Sequence, residues 1–598
     1  MRSPLVTLLV LGLAGLPAAA GRPPLPEAAL AALKQSEEGR IQSASHDLHG
    51  RRAGLGLDSR HSFVLRGART DEFGETHARF RQHFRGVPVW EGDAVTHTDA
   101  SGAHKAPTLA VFQRIEISTE PSLEAAEALA AAHGDLAPQG AYANDPTAEL
   151  VVVPRTYRAL KAGAKAASLE HAAASELEDR VLEYALAWHV HTELENGAEE
   201  TRHTDYLFNA HTGALIKKWS TLHTAGKPGG KTTLTAEKTT GNSQWYGQVT
   251  LDTAWTGSTH QLSDLTRPAS GSNTTYNLAN KTSGTGTAYT DADGVWGDGT
   301  WYSSSTLSTT GPTGQTAAVD AHRGLQATWD FYKSVFGRIG IDNKGRSAYS
   351  RVHYSRSYDN AFWSDSCFCM TYGDGNSSGS HGEADLDTVG HEVSHGVCAA
   401  EANLTYSGES GGLNEASSDI LGTMVEFWVL GGMPAGTIPG SPAGSTTANG
   451  GKYANYKLFE NSWAHAYPND ALRWMHKPSR DGASPDFWSS SLASLDVHYS
   501  SGVANHWFYL LAFGGGNDPY TDSKGETSPV YTGTTAPTPI GNDKAARIWY
   551  KALCDYMTSG TTYAGARTAT LAAAAALYGS ASAEYKAVGD AWTAVNVK

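Results

Sequence analysis

The stretch Asp387-Thr-Val-Gly-His391-Glu392-Val-Ser-His395 carries the pattern H-E-x-x-H, and its helical reading decides what the rest of the chain is built around. Residues four apart share one helix face, so the imidazoles of His391 and His395 reach one metal ion. Glu392, turned about 100° from His391, points beside that ion toward a water molecule. After nineteen intervening residues comes Glu415, within Gly412-Leu-Asn-Glu415-Ala-Ser-Ser-Asp419, which reads as a second helix. A carboxylate there completes a His, His, Glu set and leaves the fourth tetrahedral position to water, the donor count of a catalytic rather than a structural zinc. Asp419 follows Glu415 by one turn on the same face, where it can accept a hydrogen bond from the outer ring nitrogen of a zinc histidine. An isolated pair of acids would be read as a solvated helix face. Beside two histidines at this spacing, the metal reading prevails.

The 598-residue chain is too long for one hydrophobic core, so two to four folded units are expected. Hydrophobic residues at 40% and aromatics at 10% place it among globular proteins. A formal net charge of −15 gives no basis for binding nucleic acid or an anionic membrane, both of which need clustered Lys and Arg. At the start, Arg2, an apolar run from Leu5 to Leu16, Pro17 and the small residues Ala18 to Ala20 read as a signal peptide, residues 1–20. That run is well short of the roughly 20 residues that span a bilayer, so export without a membrane anchor is expected.

From about residue 25 to 223 helical stretches such as Leu123 to His133 alternate with strand-like ones: Phe63 onward, His77 to Phe84 before a turn at Arg85-Gly86, Val181 to Val190, and the hairpin Tyr206 to Trp219. This front half has no cysteine and shows no dense constellation of polar residues, so it reads as an α+β unit without chemistry of its own. Ala225-Gly-Lys-Pro-Gly-Gly230 is a breaker cluster of the kind found in exposed linkers. Beyond it, residues 224–384 are rich in Gly, Ser, Thr, Trp and Tyr, with one helix expected over Ala317 to Phe336. Residues 385–598 are mainly helical, broken by a Gly/Ser/Thr loop at Pro439 to Gly451. The expected fold class is α+β, with a β-rich lobe and a helical lobe facing each other across a cleft.

Four cysteines in an exported chain admit one or two disulfides. In an extended strand Cys367 and Cys369 would point the same way with Cα atoms about 6.5 Å apart, a poor geometry for bridging each other. One of them is expected to pair with Cys398.

Several motifs in order resemble the thermolysin-like zinc metallopeptidases: Asp320-Ala-His322, Asn360-Ala-Phe-Trp363, Tyr372-Gly-Asp-Gly375, the zinc helix, Asn414-Glu-Ala-Ser-Ser-Asp419, Asp496-Val-His498 and Tyr585-Lys-Ala-Val-Gly589. The resemblance covers nearly all of the region after residue 224. It implies that Asn360 and Ala361 lie on an edge strand that pairs with the substrate backbone. Arg473 would bind a substrate carbonyl, Glu392 would be the general base, and His498 and Tyr406 would stabilise the oxyanion, with Asp496 orienting His498. Asn414 and Asp419 would support the zinc ligands. Asp387 and Glu426 match calcium ligands of the family, Asp291 and Asp293 form a second carboxylate pair, and Glu460 is a further candidate, so at least one calcium is expected beside the zinc.

The front half, through Arg79 to Val89 and Asn209 to Trp219, resembles the family's propeptide, which implies an inhibitory and folding-assisting segment removed near His223 or Thr224. The partners implied are protein and peptide substrates and the chain's own propeptide, with a monomer sufficient for the chemistry. A zinc protein without catalysis would lack Glu392 or His498, and a structural zinc site would need cysteines at a spacing this chain does not have.

Overall fold

The computed structural model describes residues 36–138, 142–194, 201–221, 234–303, 307–376, 381–431, 438, 454–463, 471–516, 521 and 525–598. The expected leader, the linker at 225–230, the cut near 223 or 224 and the loop at 439–451 lie outside the described residues.

Alternation of apolar and polar residues in the front half produces strands that cover one face with helices. Strands β1 (His61–Thr70), β2 (Thr76–Phe84) and β3 (Val87–Thr98) pair antiparallel in sequence order. So do β4 (Tyr142–Leu160), β5 (Leu177–Leu194), β6 (Arg202–Asn209) and β7 (Leu215–Ser220). One parallel contact, Val89 to Val152, joins the two sets into a single sheet. The β2–β3 hairpin turns on Arg85 and Gly86 at φ 49° and 84°, the left-handed pair of a tight two-residue turn. Phe63, Ala78, Phe80 and Ala94, each two residues or one strand from the next, pack with Leu48 of helix α1 (Glu37–Gly50). Helix α2 (Ala125–Leu136) covers β4 and β5.

The β-rich lobe begins with the antiparallel pair β8 (Thr235–Ser243) and β9 (Gly247–Trp255). A second sheet follows, in which β10 (Asn273–Asn277) pairs β11 (Tyr349–Val352), and β12 (Ala361–Ser364) lies at the edge, bonded only to β13 (Cys369–Tyr372). Helix α3 (Pro312–Phe336) packs on both sheets. It starts at a proline whose missing N–H is no loss in the first turn, and it stops at Gly337, which takes φ 67°.

The disulfide differs from expectation. Cys367 bonds Cys369, with Cα atoms 5.3 Å apart, while Cys398 and Cys554 are buried free thiols. The expectation assumed an extended strand through both residues, but Phe368 between them is left-handed at φ 60°, and β13 begins only at Cys369. The chain is reversing direction there, and the reversal brings the two side chains together.

The helical lobe consists of α4 (Leu386–Ala400), α5 (Gly408–Leu430), α6 (Gly502–Ala512), α7 (Asn542–Lys551), α8 (Tyr563–Tyr578) and α9 (Ala583–Ala594), with α7 running on into a π-helical turn, Ala552–Tyr556. Trp507, Trp549 and Trp592 are buried at its centre, with Trp507 stacked on Trp592. No described helix is long and apolar enough to cross a membrane.

The front unit rests on this lobe. Arg69 forms a two-point ion pair with Asp555, and Arg158 reaches Glu409 at 3.2 Å. Contrary to the sequence reading, the front unit does carry a dense polar cluster. Asp71, Glu75, His77 and His97 are buried together against Lys551 and Asp555. Alternation in β2 and β3 shows which residues share a face but not what covers that face, and a second unit covers it here.

Helices α4 and α5 meet at two glycines. A β-carbon on Gly422 would fall 2.7 Å from the Asp387 carbonyl oxygen and 2.8 Å from the His391 nitrogen, and one on Gly390 would fall 2.9 Å from the Gly422 Cα. Backbone cannot yield as a side chain can. Gly422→Ala is therefore expected to cost about 1–3 kcal/mol of stability through overpacking. It should also weaken metal retention by displacing α4 from α5. A denaturation midpoint and a zinc content after dialysis equal to those of the parent would refute this.

Candidate metal centre

Two helices supply the centre because each carries its donors on the face turned to the other. On α4, His391 and His395 lie one turn apart with their Nε2 atoms 3.0 Å from each other. On α5, Glu415 sits 3.6 Å from His391 Nε2 through Oε2 and 3.4 Å from His395 Nε2 through Oε1. The donor atoms of the three residues all fall within 4.8 Å of one another, and all three residues are buried. Glu415 Oε2 has no hydrogen-bond partner. A wholly buried carboxylate oxygen left bare between two imidazoles is costly unless a cation joins them, and two nitrogens with one carboxylate fit zinc.

The outer nitrogens are held from behind. His391 Nδ1 lies 2.8 Å from Asp419 Oδ1, and His395 Nδ1 lies 2.8 Å from Asn414 Oδ1. The Asn414 side chain also donates to the Leu404 carbonyl at 2.9 Å, which fixes its orientation. Asp419 further accepts from Arg473 Nε at 3.0 Å, from Arg473 Nη2 at 2.6 Å and from Asn505 Nδ2 at 2.8 Å. Burial would raise the Asp419 carboxyl, but Arg473 and His391 outweigh it and hold the group well below the usual carboxylate range. Burial likewise opposes ionisation of Glu415, yet His498, His395, His391 and Arg473 bring it down to about 2. Glu392 lacks such company. Burial pushes its carboxyl up, only partly offset by His391.

These groups line a cleft of about 970 Å³. Its walls include Ala361 at the start of the edge strand and Asn360 just before that strand, where both were expected within it, together with Glu392, Tyr406, Arg473, Asp496 and His498. Tyr406 donates its hydroxyl to Glu415 Oε1 and lies 3.2 Å from His498 Nε2. Asp496, the residue capping the short helix Val497–Ser500, accepts from the His498 backbone at 2.9 Å and lies 2.7 Å from His498 Nδ1. That contact turns Nε2 toward the cleft. Arg473, expected to face substrate, lines the cleft with its Nε and Nη2 engaged on Asp419.

Asp387 and Glu426, the expected calcium ligands, lie at the other end of the same two helices. Asp387 accepts from the Phe459 backbone at 2.5 Å. Two further acids face them, buried Asp385 and half-buried Glu460, and the four carboxylates repel one another. Burial and this repulsion push Asp387 and Glu426 far up, and burial pushes Glu460 up to about 7. Both oxygens of Glu426, Oδ1 of Asp385 and Oε2 of Glu460 have no hydrogen-bond partner. Clustered, orphaned, hard oxygen donors fit calcium. Asp291 and Asp293, the other expected pair, sit in a turn: Asp291 Oδ1 accepts from the Asp293 backbone at 2.9 Å, and Asp291 Oδ2 accepts from Gln315 at 2.8 Å.

Sequence reasoning missed Asn505, which lies seven residues past His498 with no motif of its own, and Asp385, which reads as an ordinary helix cap. It also missed Trp219 and Ser220 of β7, which place the front unit in the wall of the cleft.

With this geometry in view, three family descriptions match the chain. The thermolysin metallopeptidase catalytic domain matches residues 238–399, its alpha-helical domain matches residues 402–597, and the fungalysin/thermolysin propeptide motif matches residues 61–106. The transglutaminase-activating metalloprotease of Streptomyces mobaraensis is 38% identical over 545 residues, covering 91% of this chain and 62% of that protein, so the chain spans less than two thirds of that relative's length. Thermolysin of Alicyclobacillus acidocaldarius subsp. acidocaldarius is 30% identical over 568 residues, covering 91% of this chain and 87% of its own. Among solved structures, the precursor of protealysin from Serratia proteamaculans is 24% identical, covers 55% of this chain and 89% of its own, and has a TM-score of 0.40. The chain belongs to the thermolysin family of zinc metalloendopeptidases, whose metals are zinc and structural calcium, and it carries that family's propeptide motif ahead of its catalytic region.

Proposed function

We propose that the chain is the precursor of a secreted endopeptidase that hydrolyses peptide bonds in extracellular proteins. Residues 1–20 are its leader, residues 21–223 its removable propeptide, residues 224–384 the β-rich lobe and residues 385–598 the helical lobe. The observation that carries the reading is the buried set His391, His395 and Glu415, with one bare carboxylate oxygen, opening on a cleft that Glu392 also lines.

His391, His395 and Glu415 would hold the zinc, which when bound supplies Lewis-acid polarisation of the scissile carbonyl and acidification of a water molecule. Ala361, at the start of a strand with one edge unpaired among the described residues, and Asn360 just before it bind the substrate backbone by strand addition, which demands an extended peptide and reads few side chains. Glu392 takes the proton of the attacking water and delivers it to the leaving amine nitrogen. His498 Nε2 and Tyr406 Oη donate to the negative charge that develops on the carbonyl oxygen, with Asp496 holding His498 in the tautomer that donates. Arg473 keeps Asp419 ionised, and Asp419 in turn orients His391. A monomer contains every one of these groups.

The mature enzyme should digest casein, lose activity to a zinc chelator and regain it with zinc. Glu392→Ala should abolish turnover while leaving the bound zinc in place, a loss of at least about 100-fold for a general base. Casein digestion by Glu392→Ala at the parental rate would overturn the mechanism.

The acidic cluster generates a separate expectation. A cation that binds only the folded state stabilises by about 2.7 kcal/mol when present at 100 times its Kd. At fixed zinc, the thermal midpoint should therefore climb with calcium concentration, and the dependence should flatten in Glu426→Gln. A midpoint indifferent to calcium would remove calcium from Asp387 and Glu426.

A further inference from the structure

The buried polar cluster between the front unit and the helical lobe has a defined construction. From β2, the guanidinium of Arg79 donates to the Met557 carbonyl at 2.6 Å, to the Leu553 carbonyl at 3.0 Å and to the Cys554 carbonyl at 2.5 Å. One buried cation thus satisfies three carbonyls of the π-helical turn and its exit. From β1, Arg69 holds Asp555 of the same turn through two hydrogen bonds, at 2.6 and 3.0 Å. From β3, Asp93 accepts from the Ser559 backbone at 3.0 Å and from its hydroxyl.

Between these grips lies a pair of imidazoles. His77 Nδ1 and His97 Nδ1 are 2.8 Å apart, and both rings are buried. His77 Nε2 faces Asp71 at 3.3 Å and Asp555 at 3.5 Å, and His97 Nε2 faces the Thr108 hydroxyl at 3.3 Å. The Tyr556 ring packs on His97 with centroids 5.1 Å apart. Two ring nitrogens at 2.8 Å share one proton: one donates and the other must be bare. If both rings were protonated, two N–H groups would point at each other.

The surroundings do not favour a second positive charge. On the front unit the pair faces Asp71, Glu75, Arg69, Arg79 and Lys105, and on the helical lobe it faces Lys551 and Asp555. Three carboxylates already meet four cations before either imidazole is charged. Lys551 lies 2.6 Å from Asp71 and 2.8 Å from Asp555, so these acids are neutralised without a metal.

We propose that the front unit is clamped to the helical lobe by an acid-labile latch, in which Arg69 and Arg79 grip the π-helical turn Ala552–Tyr556 only while the paired imidazoles His77 and His97 share a single proton. The proposal rests on reading the front unit as a propeptide and adds how its hold on the enzyme is regulated. Burial first, and His77 second, push His97 down to about 3 in the docked form. A released imidazole takes its proton near 6.5. The docked state has the lower value, so docking is at full strength above about 6.5 and weakens as pH falls from there toward 3.

The test uses the full chain as Glu392→Ala, which on the reading above does not cut itself. Amide hydrogen exchange over residues 77–98 and 553–559, corrected for its intrinsic pH dependence, is measured from pH 7.5 to 4.5. Protection should be level above pH 6.5 and fall up to about tenfold per pH unit below it, near 100-fold by pH 4.5. In His97→Asn, which keeps a hydrogen-bonding group but cannot titrate, the profile should be flat. A flat profile in the parent, or the same fall in His97→Asn, overturns the latch. Should His97→Asn not fold, the ring-proton NMR titration of His97 in the parent decides: a neutral ring down to pH 4 while docked supports the latch, and titration near 6.5 overturns it. The chain in these measurements is uncleaved, so their outcome is independent of N-terminal sequencing of the secreted product, which tests the propeptide reading itself.

Discussion

The closeness of α4 to α5 is the constraint on which the catalytic region depends. At Gly390 and Gly422 neither helix has a side chain between its backbone and the other helix. That contact brings the donors of α4 and α5 to the same depth, so that His391 and His395 meet Glu415 without any loop having to carry a ligand. Donors on packed helices lose little further freedom when a metal binds. The approach also fixes direction. Gly422 lies against Asp387 and His391, so α5 runs opposite to α4, and Glu415 and Glu426 fall at opposite ends of the shared groove.

Glu415, Asp419 and Glu426 all lie on α5, and Glu426 is eleven residues after Glu415, just over three whole turns and about 16 Å along the axis. One helix face therefore serves two stations with opposite electrostatic logic. At the first, Glu415 and Asp419 are buried among imidazoles and Arg473, and both carboxyls are held low. At the second, Asp385, Asp387, Glu426 and Glu460 cluster together, and burial and mutual repulsion push them up. The first station carries its own countercharge, and its nitrogen donors and geometry suit zinc. The second is built around carboxylates, which a hard cation would neutralise.

Part of this was legible because helical spacing is a rigid rule: four-residue intervals tie His391 to His395 and Glu415 to Asp419, the family resemblance ties one helix to the other, and the structure brings all four residues to one place. Features that depend on what packs against what were not legible. Phe368 takes a left-handed conformation that no local residue announces, so the Cys367–Cys369 bond was assigned elsewhere. His77 and Arg79 alternate along β2 as a solvated face would, yet the turn Leu553 to Met557, almost five hundred residues later, covers them. Asp385 and Asn505 are common residue types at common positions, and only their orphaned oxygen or their contact with Asp419 marks them out.

The precursor separates two jobs. Trp219 and Ser220 of the front unit stand in the wall of the cleft that His391, His395 and Glu415 also line. The grip is elsewhere, on the π-helical turn, where Arg69 and Arg79 hold Asp555 and three carbonyls. A cut beyond residue 221 breaks the covalent link but none of these contacts. The link contributes effective concentration, and a grip with several buried charge-assisted bonds is expected to outlast its loss. Access to the cleft is then governed by the strength of the grip rather than by the cut, which is why the imidazole pair inside the grip, and not the linker, is the element through which the surroundings of the protein act on it.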